Sequence, residues 1–147
     1  MKNLSFIKSK LFWGILIGVS CAGFLLISSQ FRLIEMASTS MEPTITGQGN
    51  PPVRHGDEVL ILKHFYHPLN RGDLVLVMID NFNGTSATVR RVTGVSGDVN
   101  PDSTQPIPNG YYYLLGDSTN AIDSRQLGLV SNTKIQGKVV WIIRLSH

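Results

Sequence analysis

The sequence of 147 residues contains one cysteine, Cys21, and it lies inside an apolar run near the N-terminus. A single cysteine cannot form a disulfide within the chain or build a thiolate metal site. The four histidines show no HExxH or comparable ligand spacing, so they are expected in exposed loops. The sequence therefore predicts no metal site and no other cofactor.

The chain also has little excess charge of either sign. Lys and Arg total 13 against 10 Asp plus Glu, and three of the lysines (Lys2, Lys8 and Lys10) precede the apolar run. The remainder is close to neutral, and it contains no basic stripe interleaved with aromatic residues. Binding to nucleic acid is therefore not expected.

One long uncharged run occupies residues 11–31, with the sequence LFWGILIGVSCAGFLLISSQF. At about 1.5 Å rise per residue, a helix over this run reaches the roughly 30 Å of a hydrocarbon core. The apolar core of a cleaved signal peptide is usually shorter, at about 7 to 15 residues. The run also continues past Cys21, which argues against cleavage at a lipidated cysteine. We therefore predict an uncleaved transmembrane anchor over 11–31, after a basic segment over 1–10.

The charges that flank this run predict its orientation. Lysines precede it, whereas Arg32 on the other side is offset by Glu35. The positive-inside bias keeps the N-terminus inside and puts everything after Phe31 on the outer face. The sequence thus predicts a single-pass membrane protein in contact with a lipid bilayer. A bacterial plasma membrane is the predicted compartment and a mitochondrial inner membrane the alternative, because both give the same orientation.

Residues 32–147 have the size of one domain. Short runs of strand-forming residues recur there, at 58–63, 73–79, 88–95, 111–116 and 137–145. Turn signals separate them, including Asn-Gly at 83 and 109 and Gly-Asp pairs at 56, 72, 97 and 116. This pattern predicts an all-β domain, a compact antiparallel barrel or sandwich that follows the N-terminal helix.

The stretch STSMEPT, residues 38–44, follows the apolar run closely. On composition alone, it is typical of a Ser/Thr-rich linker with a turn at Pro43. The alternative is a nucleophile at Ser40. A serine hydroxyl becomes a good nucleophile when a base removes its proton and preorganised donors receive the developing oxyanion. The choice between linker and nucleophile therefore depends on other segments.

Four segments resemble, in order, the boxes of the type I signal peptidase family, including its mitochondrial inner-membrane branch. They are STSMEPT (38–44), RGDLVLV (71–77), VRRVTGVSGD (89–98) and GDSTNAIDSRQLGLV (116–130). Members of this family are membrane-anchored serine endopeptidases with a Ser-Lys dyad on a β fold. The resemblance covers essentially the whole chain, so it implies that residues 32–147 form a signal-peptidase-like domain. It also implies a hydrolase that removes signal peptides from exported precursors after small residues at −3 and −1.

The resemblance also assigns roles by position. Ser40 matches the family's nucleophile, and Ser38 matches the hydroxyl that forms the oxyanion hole with the Ser40 amide. Asp123 and Arg125 match charged residues that brace the active site, and Arg91 is expected as a third partner. These three charged residues are expected to support the site without taking part in the chemistry.

Arg90 stands where the family carries its lysine base. Lowering the pKa of a lysine to neutrality costs roughly 4 to 5 kcal/mol, whereas an arginine would need roughly 7.5 to 9 kcal/mol. Burial can achieve the first, but a guanidinium is expected to stay protonated in a protein. Arg90 therefore occupies the base position without the chemistry of a base.

A second departure lies at Ala121, where the family usually places the hydroxyl that orients the lysine. The segment before Asp123 is also one residue shorter than the common pattern, so Ser118 or Ser124 is an alternative source of that hydroxyl. Loss of the base and of its orienting hydroxyl together predicts a remodelled or silent site.

Three hypotheses follow. The first is an active peptidase whose base is Lys63, a histidine such as His64 or a group on a partner peptidase subunit, with Arg90 as an electrostatic aid. The second is a catalytically silent homologue that binds precursors or a partner peptidase. The third is a structural β domain without such activity, and it leaves Ser38, Ser40 and the Met-Glu-Pro-Thr that follows them without a role.

Overall fold

The computed structural model describes residues 3–48, 55–63, 68–81 and 84–144, with side chains from residue 12 onward. The chain divides into two units, residues 1–31 and 32–147. The predicted base candidate His64 lies outside the described residues.

The first unit is formed by helix α1, Asn3–Ser28. Most of its described side chains are apolar and exposed, and the rings of Phe12 and Trp13 meet edge to face with centroids 6.2 Å apart. Among the residues described here, no helix combines the length and apolarity needed to cross a membrane. The anchor over 11–31 stays a prediction.

The second unit is built on one sheet of seven strands. The strands are β1 (Phe31–Glu35), β2 (Glu58–Leu62), β3 (Leu74–Asn81), β4 (Gly84–Gly94), β5 (Tyr111–Leu115), β6 (Val130–Ser131) and β7 (Ile135–Ile143). Their order across the sheet is β1-β2-β7-β3-β4-β5-β6, and the pairings from β2 through β6 are antiparallel. A short helix α2, Ser124–Leu127, precedes β6.

This architecture confirms the antiparallel all-β prediction but not the closed barrel. The strand order ends at β1 on one side and β6 on the other, so the sheet is open. All five predicted strand runs overlap observed strands. Two strands were missed: β1 begins inside the apolar run that was assigned to the anchor, and β6 has only 2 residues, too few for a recognisable alternation.

Both faces of the sheet are covered by apolar side chains, because successive residues of a strand point to opposite faces. On β3, Leu76 joins one cluster, whereas Val75 and Val77 join the other. The first cluster also holds Met41 and Ile45 from the loop after β1, and the second is completed by residues such as Leu114 and Val130. The loop that carries Ser40 is therefore anchored in the core.

The Gly-Asp pairs, predicted as turns, also form hydrogen bonds between separate segments of the chain. Each aspartate accepts a hydrogen bond from another segment: Asp57 from the Thr46 amide, Asp73 from Lys138, Asp98 from Arg71 and Asp117 from Arg91. Turn propensity alone does not reveal these contacts. They tie the loops at several corners of the sheet to neighbouring strands.

We expect Leu114→Ala to lower the free energy of unfolding by about 2 to 5 kcal/mol, because Leu114 is 1% exposed within the second cluster and its truncation leaves a cavity. The matched control is Leu127→Ala, at a site 41% exposed, where we expect about 0.5 kcal/mol or less. Urea unfolding of the full chain in detergent measures both. Equal losses in the two variants would contradict the assignment of Leu114 to the core.

Candidate functional site

Ser40 lies in a short 3-10 turn, Thr39–Met41, that follows β1. Ser38 caps this turn, because its hydroxyl oxygen accepts a hydrogen bond from the Ser40 amide at 3.2 Å. Met41 is fully buried in the first apolar cluster. A buried side chain on one side of Ser40 and a cap on the other thus fix the backbone that carries the predicted nucleophile.

The loop that begins at Gly116 packs directly on this turn. The Ser118 amide donates to the Ser40 carbonyl oxygen at 3.1 Å. A Cβ added at Gly116 would lie 2.8 Å from that same carbonyl oxygen and would overlap the Cβ of Ala121. Glycine is therefore required at 116 by the close approach of the two loops.

Arg90 on β4 reaches the Ser40 side chain. Its Nη1 donates to the Ser40 Oγ at 2.7 Å and to the Thr88 Oγ1 at 2.7 Å. Its Nε and Nη2 both donate to the Ile122 carbonyl oxygen, at 3.1 and 2.8 Å, and Nη1 also donates to the Val89 carbonyl oxygen. The side chain is locked from several sides, and Arg90 is only 4% exposed.

The electrostatics of this contact decide the direction of the hydrogen bond. Burial lowers the pKa of Arg90 and the charge of Asp123 raises it, with burial the larger effect. A guanidinium nonetheless remains protonated in proteins. Arg90 therefore donates and the Ser40 hydroxyl oxygen accepts, so Arg90 cannot remove the Ser40 proton.

Ser40 and Arg90 line a cavity of about 330 Å³. Its other lining residues are Ser38, Thr39, Ile79, Ser86, Ala87, Thr88, Ser118, Asn120, Ala121 and Ile122. Among the described residues, Arg90 is the one charged residue in this lining, which is otherwise rich in hydroxyl groups and small side chains. The cavity can hold a short, small-residue segment of peptide next to a serine and a fixed cation.

Asp123, which is buried, and Arg125, which is exposed, form a brace beside the cavity. The Asp123 carboxylate accepts hydrogen bonds from the Gly116 amide at 2.9 Å and from Arg125 Nε and Nη2 at 2.9 and 2.6 Å. Burial opposes ionisation of Asp123, but the hydrogen bonds from Arg125 and Gly116 outweigh it, so the pKa of Asp123 lies below its usual value. The ionised Asp123 also caps helix α2. This pair fixes both ends of the loop that packs on Ser40.

Arg91 contacts the loop that follows Gly116 rather than Asp123 or Arg125. It forms a two-pronged ion pair with Asp117, at 2.9 and 2.6 Å, and its Nη2 also donates to the Thr44 hydroxyl at 3.1 Å. The hydrogen bond from Arg91 lowers the pKa of Asp117. This contact links β4, the loop after Gly116 and the end of the Ser40 segment.

The remaining base and hydroxyl candidates have separate locations. Lys63 lines another cavity with Ile61 and Gln136 rather than the Ser40 cavity. Ser124 is buried and accepts from the Leu114 amide, and Ser118 lines the cavity without a described bond to Arg90. Within the described part of the chain, no cluster of His, Cys, Asp or Glu could hold a metal ion.

The sequence analysis missed Thr88, Asp117 and Thr44. Thr88 was detectable in principle, since residues two apart on a strand share a face and Thr88 precedes Arg90 by two. Asp117 was assigned to turn chemistry. Its pairing with Arg91 depends on how the loops close in space, and the sequence does not encode that visibly.

The fold and cavity define an all-β domain with a serine-centred site, and comparison with known proteins identifies the family. Residues 99–144, which contain Asp123 and Arg125 but neither Ser40 nor Arg90, match the family described as signal peptidase, peptidase S26. Over 113 residues the chain is 35% identical to the mitochondrial ATP-independent inner membrane protease subunit 1b of Arabidopsis thaliana. That alignment covers 69% of this chain, which spans 63% of the length of the relative.

The chain therefore belongs to the type I signal peptidase family, peptidase S26, and is similar to its mitochondrial inner-membrane branch. The roles of the individual site residues stay predictions.

We expect Asp117→Asn to lower the free energy of unfolding by about 1 to 3 kcal/mol at pH 7, because it removes the charged partner of Arg91. The folded pKa of Asp117 is depressed, so its contribution is fully present above the unfolded pKa of about 3.9. It is lost as the pH falls through the lower folded value. The difference between wild type and variant should therefore shrink below about pH 3.9.

Urea unfolding at pH 7 and at a series of acidic pH values measures this difference. The control is Asp80→Asn, which removes an ion pair with Lys134 whose two side chains are 61% and 48% exposed. We expect a much smaller change there, because exposed pairs contribute little. A loss for Asp117→Asn that persists unchanged at low pH would mean that the charge of Asp117 is not its cause.

Proposed function

We propose that this chain is a signal-peptidase-type serine endopeptidase that acts on exported precursors, with Ser40 as the nucleophile. The observation that carries the proposal is the capped Ser40 turn in the wall of a cavity, with a fixed cation 2.7 Å from the Ser40 oxygen. The small residues Ala87 and Ala121 in the lining leave room for alanine-sized side chains. We therefore propose cleavage after small residues at −3 and −1.

We further propose that Ser38 and the Ser40 amide stabilise the oxyanion. In the free protein the Ser40 amide donates to the Ser38 oxygen over 3.2 Å, the long end of the usual range. An oxyanion is a stronger acceptor than a hydroxyl oxygen. It would take the Ser40 amide hydrogen and the hydrogen of the Ser38 hydroxyl together.

In this proposal the Ser40 proton does not go to Arg90. The guanidinium favours the alkoxide over the alcohol by its charge, and the proton leaves to hydroxide or to a base on a partner subunit. Arg90 thus acts as an electrostatic aid. The similar plant protein is named as a subunit, which supports the proposal of a partner peptidase subunit here.

The direction of the Arg90 hydrogen bond favours a second candidate function. A donor that cannot lose its proton, in the base position, suits a catalytically silent homologue that binds precursors or a partner peptidase without cutting. Both candidates use the same cavity. They differ in whether the Ser40 proton can leave.

We also propose a single-pass membrane protein with its N-terminus inside and the β domain on the outer face. The compartment we favour is a bacterial plasma membrane. The mitochondrial inner membrane is the alternative, and the name of the similar plant protein supports it.

A precursor reporter with an Ala-x-Ala site, incubated with the detergent-solubilised full chain, tests the active proposal. We expect cleavage whose rate rises with pH through the alkaline range, because hydroxide must remove the proton. Ser40→Ala should lower the rate by about a thousandfold or more, whereas Ser103→Ala, on the loop before β5, should not change it. Separation of the products on a gel, with mass spectrometry of the cut site, gives the readout.

Arg90→Lys separates the two candidates. For a silent but competent site, we expect the lysine to introduce cutting near neutral pH, because a buried lysine can become a base. For an active site that uses Arg90, the exchange should reduce cutting in the alkaline range. Binding of the reporter without cleavage at any pH in the wild type would reject cleavage by this chain alone and favour the silent candidate.

A further inference from the structure

Arg90 differs from the other arginines around the site in the charge of its partners. Arg91 pairs with Asp117, Arg125 with Asp123, and Arg71 with Asp98. The described hydrogen bonds of Arg90 all end on neutral oxygens, two hydroxyls and two carbonyls. A nearly fully buried cation at the wall of a cavity thus has no carboxylate bonded to it among the described residues.

The nearest negative charge is already in use. Asp123 influences Arg90 through its field, but its two oxygens accept from Arg125 and from the Gly116 amide. Burying a cation is costly unless an anion compensates it. An anionic ligand in the cavity would supply that compensation.

The hydroxyl groups beside Arg90 are arranged to donate. The Ser40 oxygen accepts from Arg90 and the Ser38 oxygen accepts from the Ser40 amide. Neither hydroxyl donates in a hydrogen bond among the described residues, so its own hydrogen is available to a ligand. A planar guanidinium with neighbouring hydroxyl donors matches the geometry of a carboxylate.

The other lining residues determine which kind of molecule can carry the carboxylate that binds there. Ala87 and Ala121 leave space for a small side chain, and Ile79 and Ile122 make the wall partly apolar. The cavity of about 330 Å³ exceeds the needs of a single inorganic anion. It fits the end of a peptide.

We propose that the Ser40 cavity binds the free C-terminal carboxylate of a peptide that ends in a small residue. Arg90 and the Ser40 hydroxyl would donate to this carboxylate, and the last side chain would lie between Ala87 and Ala121. The inference rests on the proposed binding of precursor segments in this cavity. It adds that the chain prefers a segment already cut, with its new carboxylate, over an uncut one.

This preference also gives a physical reason for arginine at position 90. A lysine that serves as a base must be neutral before it acts, and a neutral amine attracts a carboxylate weakly. An arginine keeps its charge, and the Nη2 of Arg90 has one hydrogen beyond the one that it donates to the Ile122 carbonyl oxygen. Ala121 fits the same picture, since Thr88 and the Ile122 carbonyl already orient Arg90 without a hydroxyl at 121.

The test compares two peptides of one sequence that end in Ala-x-Ala, one with a free carboxylate and one with a C-terminal amide. Fluorescence anisotropy with the full chain in detergent measures both affinities. We expect the acid to bind at least roughly tenfold tighter, because hydrogen bonds to charged groups are the stronger kind. Equal affinities would overturn the proposal.

Two competitors distinguish a peptide terminus from a simple anion site. Acetate carries the carboxylate without a peptide, and sulfate carries charge with a different shape. We expect both to displace the labelled acid only at concentrations at least a hundredfold above that of the unlabelled peptide. Displacement by sulfate as readily as by the peptide acid would overturn the proposal in favour of a general anion site.

Variants then assign the preference to Arg90. Arg90→Gln should abolish the difference between acid and amide, and Arg90→Lys should keep part of it. Arg71→Gln removes an equal charge outside the cavity lining and should leave the difference unchanged. Circular dichroism melts check folding, and the comparison of peptides in the wild type holds even if Arg90→Gln does not fold.

The peptide-binding experiment and the cleavage experiment can fail independently of each other. Cleavage of the reporter without any preference for the peptide acid would leave the proposed peptidase standing and reject the carboxylate site. A preference for the acid without cleavage would support the carboxylate site and reject proteolysis by this chain alone.

Discussion

The hydrogen bond from Arg90 to Ser40 is the constraint on which the chemistry of this chain depends. It spans 2.7 Å between a buried guanidinium and the hydroxyl of Ser40, the proposed nucleophile. A lysine in this position can become neutral and then accept a proton, whereas an arginine keeps its charge and only donates hydrogen bonds. The structure thus places a serine hydroxyl against a cation that cannot accept its proton.

The surrounding structure is organised to hold that contact. Two carbonyl oxygens and Thr88 fix the guanidinium, and the Ser40 turn is fixed by Met41 below it and Ser38 beside it. Arg91, the next residue on β4, donates hydrogen bonds both to Asp117 and directly to Thr44. Adjacent residues of β4 therefore have different roles. Arg90 lines the cavity, and Arg91 holds the loops around it.

Much of the fold was readable from the sequence. β-branched and aromatic runs between turn signals identified β2, β3, β4, β5 and β7, because alternating burial leaves a local pattern. The open sheet was not predictable, since closure depends on which edges meet, and these edges are far apart in the chain. β1 was hidden for a local reason: its first residue, Phe31, continues the apolar run of the helix.

The site was predictable to a different extent. The family motifs named Ser40 and Arg90, which the structure brings together, and Asp123 with Arg125, which bond to each other. The partner of Arg91 was not predictable, because the Asp117 contact is made across 26 residues by loop closure. The role of the Ile122 carbonyl oxygen was not predictable either. Every residue carries a backbone carbonyl, so the residue type at 122 does not reveal this acceptor.

The hydrogen bonds at the Gly-Asp turns have a consequence for where this chain can accept an insertion. The segment between β4 and β5 is closed at its base, where Asp98 holds Arg71 and the Val95 amide and where the Ile107 amide donates to the Asp98 carbonyl. Residues beyond that closure, such as Val99, are exposed and do not line the Ser40 cavity. Because the base of this segment is closed by these hydrogen bonds, we expect an insertion next to Val99 to leave the Ser40 cavity unchanged.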